Sequence, residues 1–254
     1  MHFRGRAMAD IDVATAQKIV VVTTTYYPDA EDVRFALALE LCRLARRRRV
    51  RLVLVDGSPR HDAVREALER AGTAVYAHVV RQDADDFPGK GGALRQAIRH
   101  ATALLRAGDA ADDAVICFAE PEKVNLMNHV AAVAKPIFDG SADVVVPRRS
   151  EELFRQTYPI EQYHSESFGN RHFDLLARQH AKQPAGGALD WLFGPVAFKA
   201  GLAEGWLGYG GTSWDAQVCK SNKATQPHRH FASLCTSSSL IACLPTPLPP
   251  GTRR

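Results

Sequence analysis

Two neighbouring glutamates have a spacing that indicates metal chemistry. Glu120 and Glu122 flank Pro121 and directly follow a short apolar run. Alternate side chains of an extended segment point to the same side, so both carboxylates could face one point beyond a strand. Such a pair suits Mg²⁺ or Mn²⁺ that bridges to a diphosphate. Alternatively, Pro121 begins a helix and Glu122 lies in its first turn, an arrangement that requires no ligand.

A glycine-rich segment could bind the phosphates of the same ligand. Gly89, Gly91 and Gly92 surround Lys90 and are expected to open a helix at Ala93. Glycines let the backbone approach an oxyanion, the start of a helix presents unpaired N–H groups, and a lysine adds a positive charge. The spacing matches neither a P-loop nor a dinucleotide-binding loop, so the segment alone indicates little.

Asp56 is a candidate for binding a nucleoside. It ends an apolar run and is followed by Gly57 and Ser58. A carboxylate at the end of a strand can accept hydrogen bonds from a nucleobase or a ribose. The alternative is that Asp56 caps the turn that follows.

The elements that would position these residues alternate along the chain. Short β-branched runs predict strands over 19–25, 51–56, 74–80, 113–118 and 142–146. Apolar residues at helical spacing predict helices over 33–49, 61–71, 93–105 and 124–138. Such alternation is typical of an α/β fold with a mostly parallel central sheet and helices on both faces. Ligands of such sheets bind beyond the carboxyl ends of the strands, where the candidates above are expected to lie.

The second half, residues 150–218, is expected to complete the same domain on the acceptor side. Its aromatic stretch contains His164, Glu166, His172 and Asp174. These residues could form an acceptor or catalytic cluster, although the pattern favours an ordinary amphipathic helix over the sheet. The aromatic pair Trp191 and Phe193 is expected to be core, with stacking against a sugar as the alternative.

Both ends of the chain differ in composition from residues 18–149, the half expected to bind the ligand. Residues 1–17 are expected to be a flexible segment. Residues 219–254 hold five of the fourteen prolines and no acidic residue. We expect a structureless tail there. The abrupt change of composition also raises the hypothesis of an altered reading frame, in which case the protein could be impaired.

Together these motifs resemble the GT-A glycosyltransferases, including family 2, and in particular the mannosylglycerate-synthase-like group. The resemblance covers roughly residues 18–218 and rests on TTTYYP, VDGS, PGKGGALRQAI, the acidic pair and GTSWDAQV. It implies a GT-A fold and the transfer of a sugar from a nucleoside diphosphate sugar to a hydroxyl of a small molecule or glycan. It implies that Asp56 contacts the nucleoside and that Lys90, Gly91 and Glu120 bind the donor.

The resemblance also implies a divalent cation, Mg²⁺ or Mn²⁺, bound by Glu120 and Glu122, and a catalytic role for Asp215. Here Glu-Pro-Glu replaces the usual Asp-x-Asp, and Lys123 could partly neutralise the pair, so metal dependence is the weakest of these expectations. Two alternatives stay open. One is a catalytically inactive protein that binds sugar nucleotides. The other is a nucleotidyltransferase, which is expected to carry a glycine-rich loop after the first strand, where this sequence has none.

Composition and charge limit the partners and the compartment. Hydrophobic residues make up 46% and charged residues 24% of the chain, as in an ordinary globular protein. The net charge of +4 comes from the tail, because residues 1–218 carry 27 basic and 28 acidic residues. A nucleic-acid partner is therefore not expected. Cys42 and Cys117 are expected to be buried free thiols, and with no apparent signal peptide or apolar span we expect a cytoplasmic protein with no transmembrane segment.

Overall fold

β-Branched and aliphatic runs form the strands of one sheet. The computed structural model describes residues 12–28, 31–108, 113–179, 188–213 and, as backbone only, 231–235. Within these residues the sheet has seven strands in the order β3-β2-β1-β4-β6-β5-β7. The strands are β1 Ile19–Thr25, β2 Arg51–Asp56, β3 Ala77–Arg81, β4 Val115–Phe118, β5 Val144–Arg148, β6 Val196–Lys199 and β7 Phe231–Cys235.

Most of the strand pairs are parallel. β1 pairs in parallel with both β2 and β4, and β2 pairs in parallel with β3. β6 runs antiparallel to β4 and β5, between which it lies. β7 pairs in parallel with β5. The four strands β1 to β4 therefore end at the same edge of the sheet.

Helices cover both faces of this sheet. They are α1 Val13–Gln17, α2 Val33–Arg48, α3 His61–Gly72, α4 Gly89–Ala107, α5 Val130–Phe138, α6 Glu151–Thr157, α7 Ile160–Gln179 and α8 Ala203–Leu207. Ile19 and Val21 of β1 pack with α2, α3 and α5 on one face, whereas Val20 and Val22 pack with α4 and α8 on the other. The predicted fold class, a mostly parallel sheet between two helical layers, is confirmed.

Several predicted boundaries are confirmed and others are wrong. The strands predicted over 19–25 and 51–56 have those bounds in the structure. The helix predicted over 124–138 is instead a short 3₁₀ helix, Val124–Asn128, followed by α5, which contains Pro136. The helix expected from Ala93 begins at Gly89, so the glycines form its first turn rather than a loop before it.

The later part of the chain is more regular than its composition predicts. Residues Ala203–Leu207 form α8, in which Gly205 is helical. Within the tail expected to be structureless, Phe231–Cys235 forms β7 beside β5. None of the helices in the described part of the chain is both long and apolar enough to cross a membrane.

Candidate active site

The sheet order creates a crevice between the ends of β1 and β4. From β1 the chain continues to β2 and β3 on one side, and it returns to β4 on the other side of β1. This reversal of strand order is a topological switch point, where ligands of open α/β sheets bind beyond the carboxyl ends of the strands. The segment 26–28 follows β1, and Glu120 lies two residues after β4.

Glu120 joins two lysines that come from different elements. Lys90 lies in the first turn of α4, and its Nζ is 3.0 Å from Oε1 of Glu120. Lys123 follows the turn after β4, and its Nζ contacts Oε2 of the same carboxylate. Burial alone would raise the pKa of Glu120, but the charges and hydrogen bonds of Lys123 and Lys90 lower that pKa to about 2. The structure thus brings together Lys90 and Glu120, two of the residues predicted to bind the donor.

A glycine makes room for this carboxylate. Gly194 has a φ of +98°, a conformation that side chains rarely adopt, and a Cβ atom there would lie 3.2 Å from Oε2 of Glu120. The ring of Phe193 lies under Lys123, with 5.1 Å between Nζ and the ring centroid. Phe193 is fully buried. These contacts fix both the acid and one of its two lysines.

The structure does not bring Glu122 into the ion pairs of Glu120. The backbone turns here, because the N–H of Lys123 donates to the carbonyl of Glu120 at 3.0 Å. The alternation of an extended strand therefore does not apply to the pair. Glu122 is exposed. Burial is the main reason that the pKa of Tyr27 is raised, and the hydrogen bond with Asp32 is the main reason for Arg34, with the charge of Glu122 adding to both. No group of three or more potential metal-ligating side chains occurs within the described residues.

The start of α4 is covered by a segment from much later in the chain. The N–H of Gly91 donates to the carbonyl of Thr212 at 2.9 Å. A Cβ atom on Gly89 would lie 2.3 Å from that same carbonyl oxygen, and Gly89 has a φ of +66°. Arg95 of α4 also donates to the carbonyl of Gly211. The glycines that were predicted to let an oxyanion approach therefore let the backbone of Thr212 approach instead. The N–H of Gly91, a residue predicted to bind the donor, is already hydrogen-bonded to the carbonyl of Thr212.

Gly92 has a separate packing reason. A Cβ atom at this position would lie 2.2 Å from the backbone of Phe87. The side chain of Gln82 holds the same turn, since its Nε2 donates to the carbonyl of Phe87 at 2.8 Å and to that of Gly89 at 2.9 Å. These contacts fix the segment that carries Lys90.

Asp56 lies at the predicted edge but is fully buried. Its Oδ1 accepts from the hydroxyls of Thr25 at 2.9 Å and Ser58 at 2.6 Å, and its Oδ2 lies 3.0 Å from Nδ1 of His61. Ser58 in turn accepts from the N–H of Tyr27 at 2.9 Å. Asp56 thus ties the end of β1 to the turn before α3. The contact of Asp56 with a nucleoside stays a prediction.

Sequence reasoning missed a buried polar network around Arg149. Its Nε and Nη2 donate to the two carboxylate oxygens of Asp190 at 2.8 and 2.7 Å, and its Nη1 donates to Glu166 at 2.6 Å. The guanidinium also stacks over Phe154 at 3.6 Å. Burial would lower the pKa of Arg149, but the hydrogen bonds and charges of Asp190 and Glu166 raise it. The only sequence signal is the position of Arg149 just after the fifth strand.

The histidines and carboxylates of residues 164–174 do not form the acceptor or catalytic cluster that was one of the two predictions for this stretch. Within α7, Glu166 binds Arg149, whereas Asp174 accepts from the indole Nε1 of Trp191 at 2.8 Å. His164 and His172 instead make ring contacts with aromatic neighbours. The predicted core positions of Trp191 and Phe193 are confirmed, since both side chains are buried.

The predicted catalytic residue, Asp215, lies outside the described residues. The described segment stops at Ser213, immediately after the contact of Thr212 with α4. The catalytic role of Asp215 therefore stays a prediction.

The solved structures that this chain matches include sugar transferases. One is glucosyl-3-phosphoglycerate synthase from Mycobacterium tuberculosis in complex with Mn²⁺, UDP-glucose and phosphoglyceric acid. It is 16% identical, has a TM-score of 0.48, and the match covers 85% of this chain and 69% of that one. Another is a mannosyltransferase from Pyrobaculum calidifontis in complex with GDP-mannose and Mn²⁺, with 18% identity, a TM-score of 0.40 and coverage of 74% and 46%.

With identities below 25% and TM-scores below 0.5, these matches assign neither a fold nor an activity to this chain. This chain spans about two thirds of the length of the first enzyme and less than half of the second. No protein-family model matches the sequence, and neither does any curated protein.

Proposed function

We propose that this protein is a glycosyltransferase that moves a sugar from a nucleoside diphosphate sugar to a hydroxyl acceptor. The observation that supports it is the meeting of Lys90 and Glu120, 3.0 Å apart, at the carboxyl edge of the parallel strands. Lys90 comes from the first turn of a long helix and Glu120 from the end of a central strand. Charged groups from two elements therefore converge on the crevice where the fold binds ligands.

The chemistry of the reaction requires positive charge at this position. When the sugar leaves, negative charge develops on the departing diphosphate, and stabilising that charge is the largest electrostatic demand of the transfer. Lys90 can supply it, because 42% of its side chain is exposed despite the ion pair with Glu120. Asp215 is the proposed base for the acceptor hydroxyl if the reaction inverts the sugar, and a positioning group if it retains the configuration.

The described residues do not fit a divalent cation shared by Glu120 and Glu122. Both oxygens of Glu120 contact ammonium groups. Glu122 is exposed, and its charge interacts electrostatically with Tyr27 and Arg34. Two unit charges 4 Å apart repel by about 4 kcal/mol at an effective dielectric constant near 20, and a divalent ion doubles that repulsion with each lysine. We derive no catalytic step through a metal at these two glutamates.

The test is the release of nucleoside diphosphate by the full chain. Purified protein is incubated with UDP-glucose or GDP-mannose, with and without phosphoglyceric acid as a trial acceptor, and released UDP or GDP is measured. We expect release above background, reduced about 100-fold in Lys90→Ala. Lys135→Ala is the matched control, because Lys135 is an exposed lysine that pairs only with Asp139 among the contacts described. Equal rates in both variants would contradict the proposed role of Lys90.

A catalytically inactive sugar-nucleotide-binding protein is the second candidate. The ion pairs of Glu120 with two lysines favour this candidate, because the usual Asp-x-Asp motif would instead bind a metal ion. Saturable binding of a sugar nucleotide without turnover, across both donors and with or without Mn²⁺, would support this candidate over the enzyme.

A further inference from the structure

We infer that Lys90 and Lys123 together form the binding site for the diphosphate of the donor and take the place of a divalent cation, with Glu120 as the positioning residue between them. This inference rests on the proposed function and specifies how its donor site recognises the ligand. It assigns Glu120 to the lysines instead of to a metal.

The two ammonium groups approach Glu120 from separate parts of the fold. Nζ of Lys90 is 3.0 Å from Oε1, and Nζ of Lys123 contacts Oε2. The three side chains together carry a charge of +1, so the site attracts an anion. Two ammonium groups held on the two oxygens of one carboxylate can each donate to a different oxygen of a diphosphate.

The surrounding residues fix this arrangement before a ligand arrives. Gly194 makes room for the carboxylate of Glu120, since a Cβ atom at this position would crowd Oε2 at 3.2 Å. Phe193 supports Lys123 from below at 5.1 Å. The turn that carries Lys90 is held by the contact between Gly91 and Thr212. A site with pre-positioned donors loses less entropy when the ligand binds.

The two lysines differ in how they meet solvent. The side chain of Lys90 is 42% exposed, and that of Lys123 is 15% exposed. Lys90 is therefore the outer group that a diphosphate reaches first, and Lys123 is the inner one against the Phe193 ring. Loss of either lysine should weaken binding even though only Lys90 belongs to the glycine-rich segment.

The experiment is calorimetric titration of UDP, GDP and ADP into the full chain, in buffer with EDTA and in buffer with Mn²⁺. We expect at least one nucleotide to bind in EDTA, with an affinity within twofold of that in Mn²⁺. Lys90→Ala and Lys123→Ala should each weaken binding at least tenfold, and Lys135→Ala should leave it unchanged. Lys123→Arg keeps the charge, and thermal denaturation of every variant checks that it is folded.

Glu120→Gln separates a positioning acid from a metal ligand. If Glu120 only positions the lysines, this variant loses the carboxylate that holds both ammonium groups, so binding weakens by the same factor in EDTA and in Mn²⁺. If Glu120 holds a metal, the variant loses the Mn²⁺-dependent part of the affinity. Binding that disappears in EDTA and returns with Mn²⁺ would overturn the inference and leave the proposed function standing. Absence of binding by all three nucleotides in both buffers would overturn both.

Discussion

Arg149 and Asp190 form a buried two-point ion pair across 41 residues of chain, with Nε–Oδ2 and Nη2–Oδ1 distances of 2.8 and 2.7 Å. Arg149 follows β5, and Asp190 precedes Trp191 and Phe193, which pack in the core. Asn170 of α7 also donates to Asp190, at 2.8 Å. The pair therefore attaches α7 to the segment that carries Phe193 and Gly194, which line the Glu120 site.

The first prediction concerns this ion pair. Asp190→Asn leaves the Arg149 guanidinium buried with only Glu166 as a charged partner. Because Glu166 still compensates the guanidinium, the expected loss is that of a charged hydrogen bond, about 1.5–3 kcal/mol of unfolding free energy. Urea denaturation measures it.

Arg70→Met is the control for that measurement. Arg70 and Glu66 form an exposed ion pair on α3, in which both side chains are 73% exposed. An exposed pair contributes at most about 1 kcal/mol. If Asp190→Asn cost no more than Arg70→Met, the buried pair would have no special role in stability.

The second prediction concerns the covered start of α4. Gly89→Ala introduces a Cβ atom 2.3 Å from the carbonyl oxygen of Thr212, at a φ of +66°. The strained backbone alone costs about 1–2 kcal/mol, and the clash forces the segment of Thr212 away from the helix. Urea denaturation should show the loss of stability, and hydrogen exchange should show faster exchange of the Gly91 amide.

Gly210→Ala provides the matched control, because a Cβ atom there would meet nothing within 4 Å. Gly210 lies in the same segment, two residues before Thr212. We expect a change in stability within about 0.5 kcal/mol. Unchanged exchange at Gly91 in Gly89→Ala would show that the contact with Thr212 does not form in solution.

The third prediction concerns Asp56. Asp56→Ala leaves the hydroxyls of Thr25 and Ser58 and the ring of His61 without their common acceptor in a fully buried site. Each unsatisfied buried group costs about 1–3 kcal/mol, and the three share one site, so a total loss of about 3 kcal/mol is expected. Asp62→Ala, at an exposed position in the first turn of α3, should cost about 0.5 kcal/mol by comparison.

If Asp56→Ala left the unfolding free energy nearly unchanged but weakened the affinity for a sugar nucleotide, the structural role of Asp56 would be contradicted. The carboxylate would then act on the nucleoside rather than on the fold. Denaturation and calorimetry on the same preparation distinguish these two outcomes.

The meeting of Lys90 and Glu120 follows from the sequence because both residues lie at ends of elements that share one edge of the sheet. The β-branched run of β1 and its polar ending predict where strands stop, and parallel strands stop on the same side. The direction of Glu122 does not follow in this way. The chain turns between Glu120 and Lys123 and is no longer extended. Alternate residues in this turn therefore need not point to the same side.

Contacts between distant segments set the rest of the site, and periodicity carries no information about them. Thr212 approaches Gly89 from more than 120 residues away, so the glycines of that turn serve a backbone contact that no local pattern indicates. Arg149 and Asp190 are likewise residue types that are usually exposed, so the sequence does not predict their burial. Contacts with Glu166 and Asn170 of α7 and with Phe154 of α6 surround the pair.

The last prediction concerns the reactivity of the two buried thiols. Burial raises the pKa of both Cys42 and Cys117 to about 12, from an ordinary value near 9. Because the thiolate is the reactive form, three pKa units lower its population about 1,000-fold at pH 8. Site-resolved mass spectrometry after treatment with iodoacetamide should therefore find both residues unmodified in the native protein and modified in urea.

The raised pKa values of these two thiols also make the free energy of unfolding depend on pH. The unfolded chain releases these protons near pH 9 and the folded chain does not, so the free energy of unfolding should fall as the pH rises above 9. Cys42→Ala should show a smaller fall. Equal modification rates of Cys42 in native and denatured protein would show that the packing of α2 against the sheet does not bury this thiol in solution.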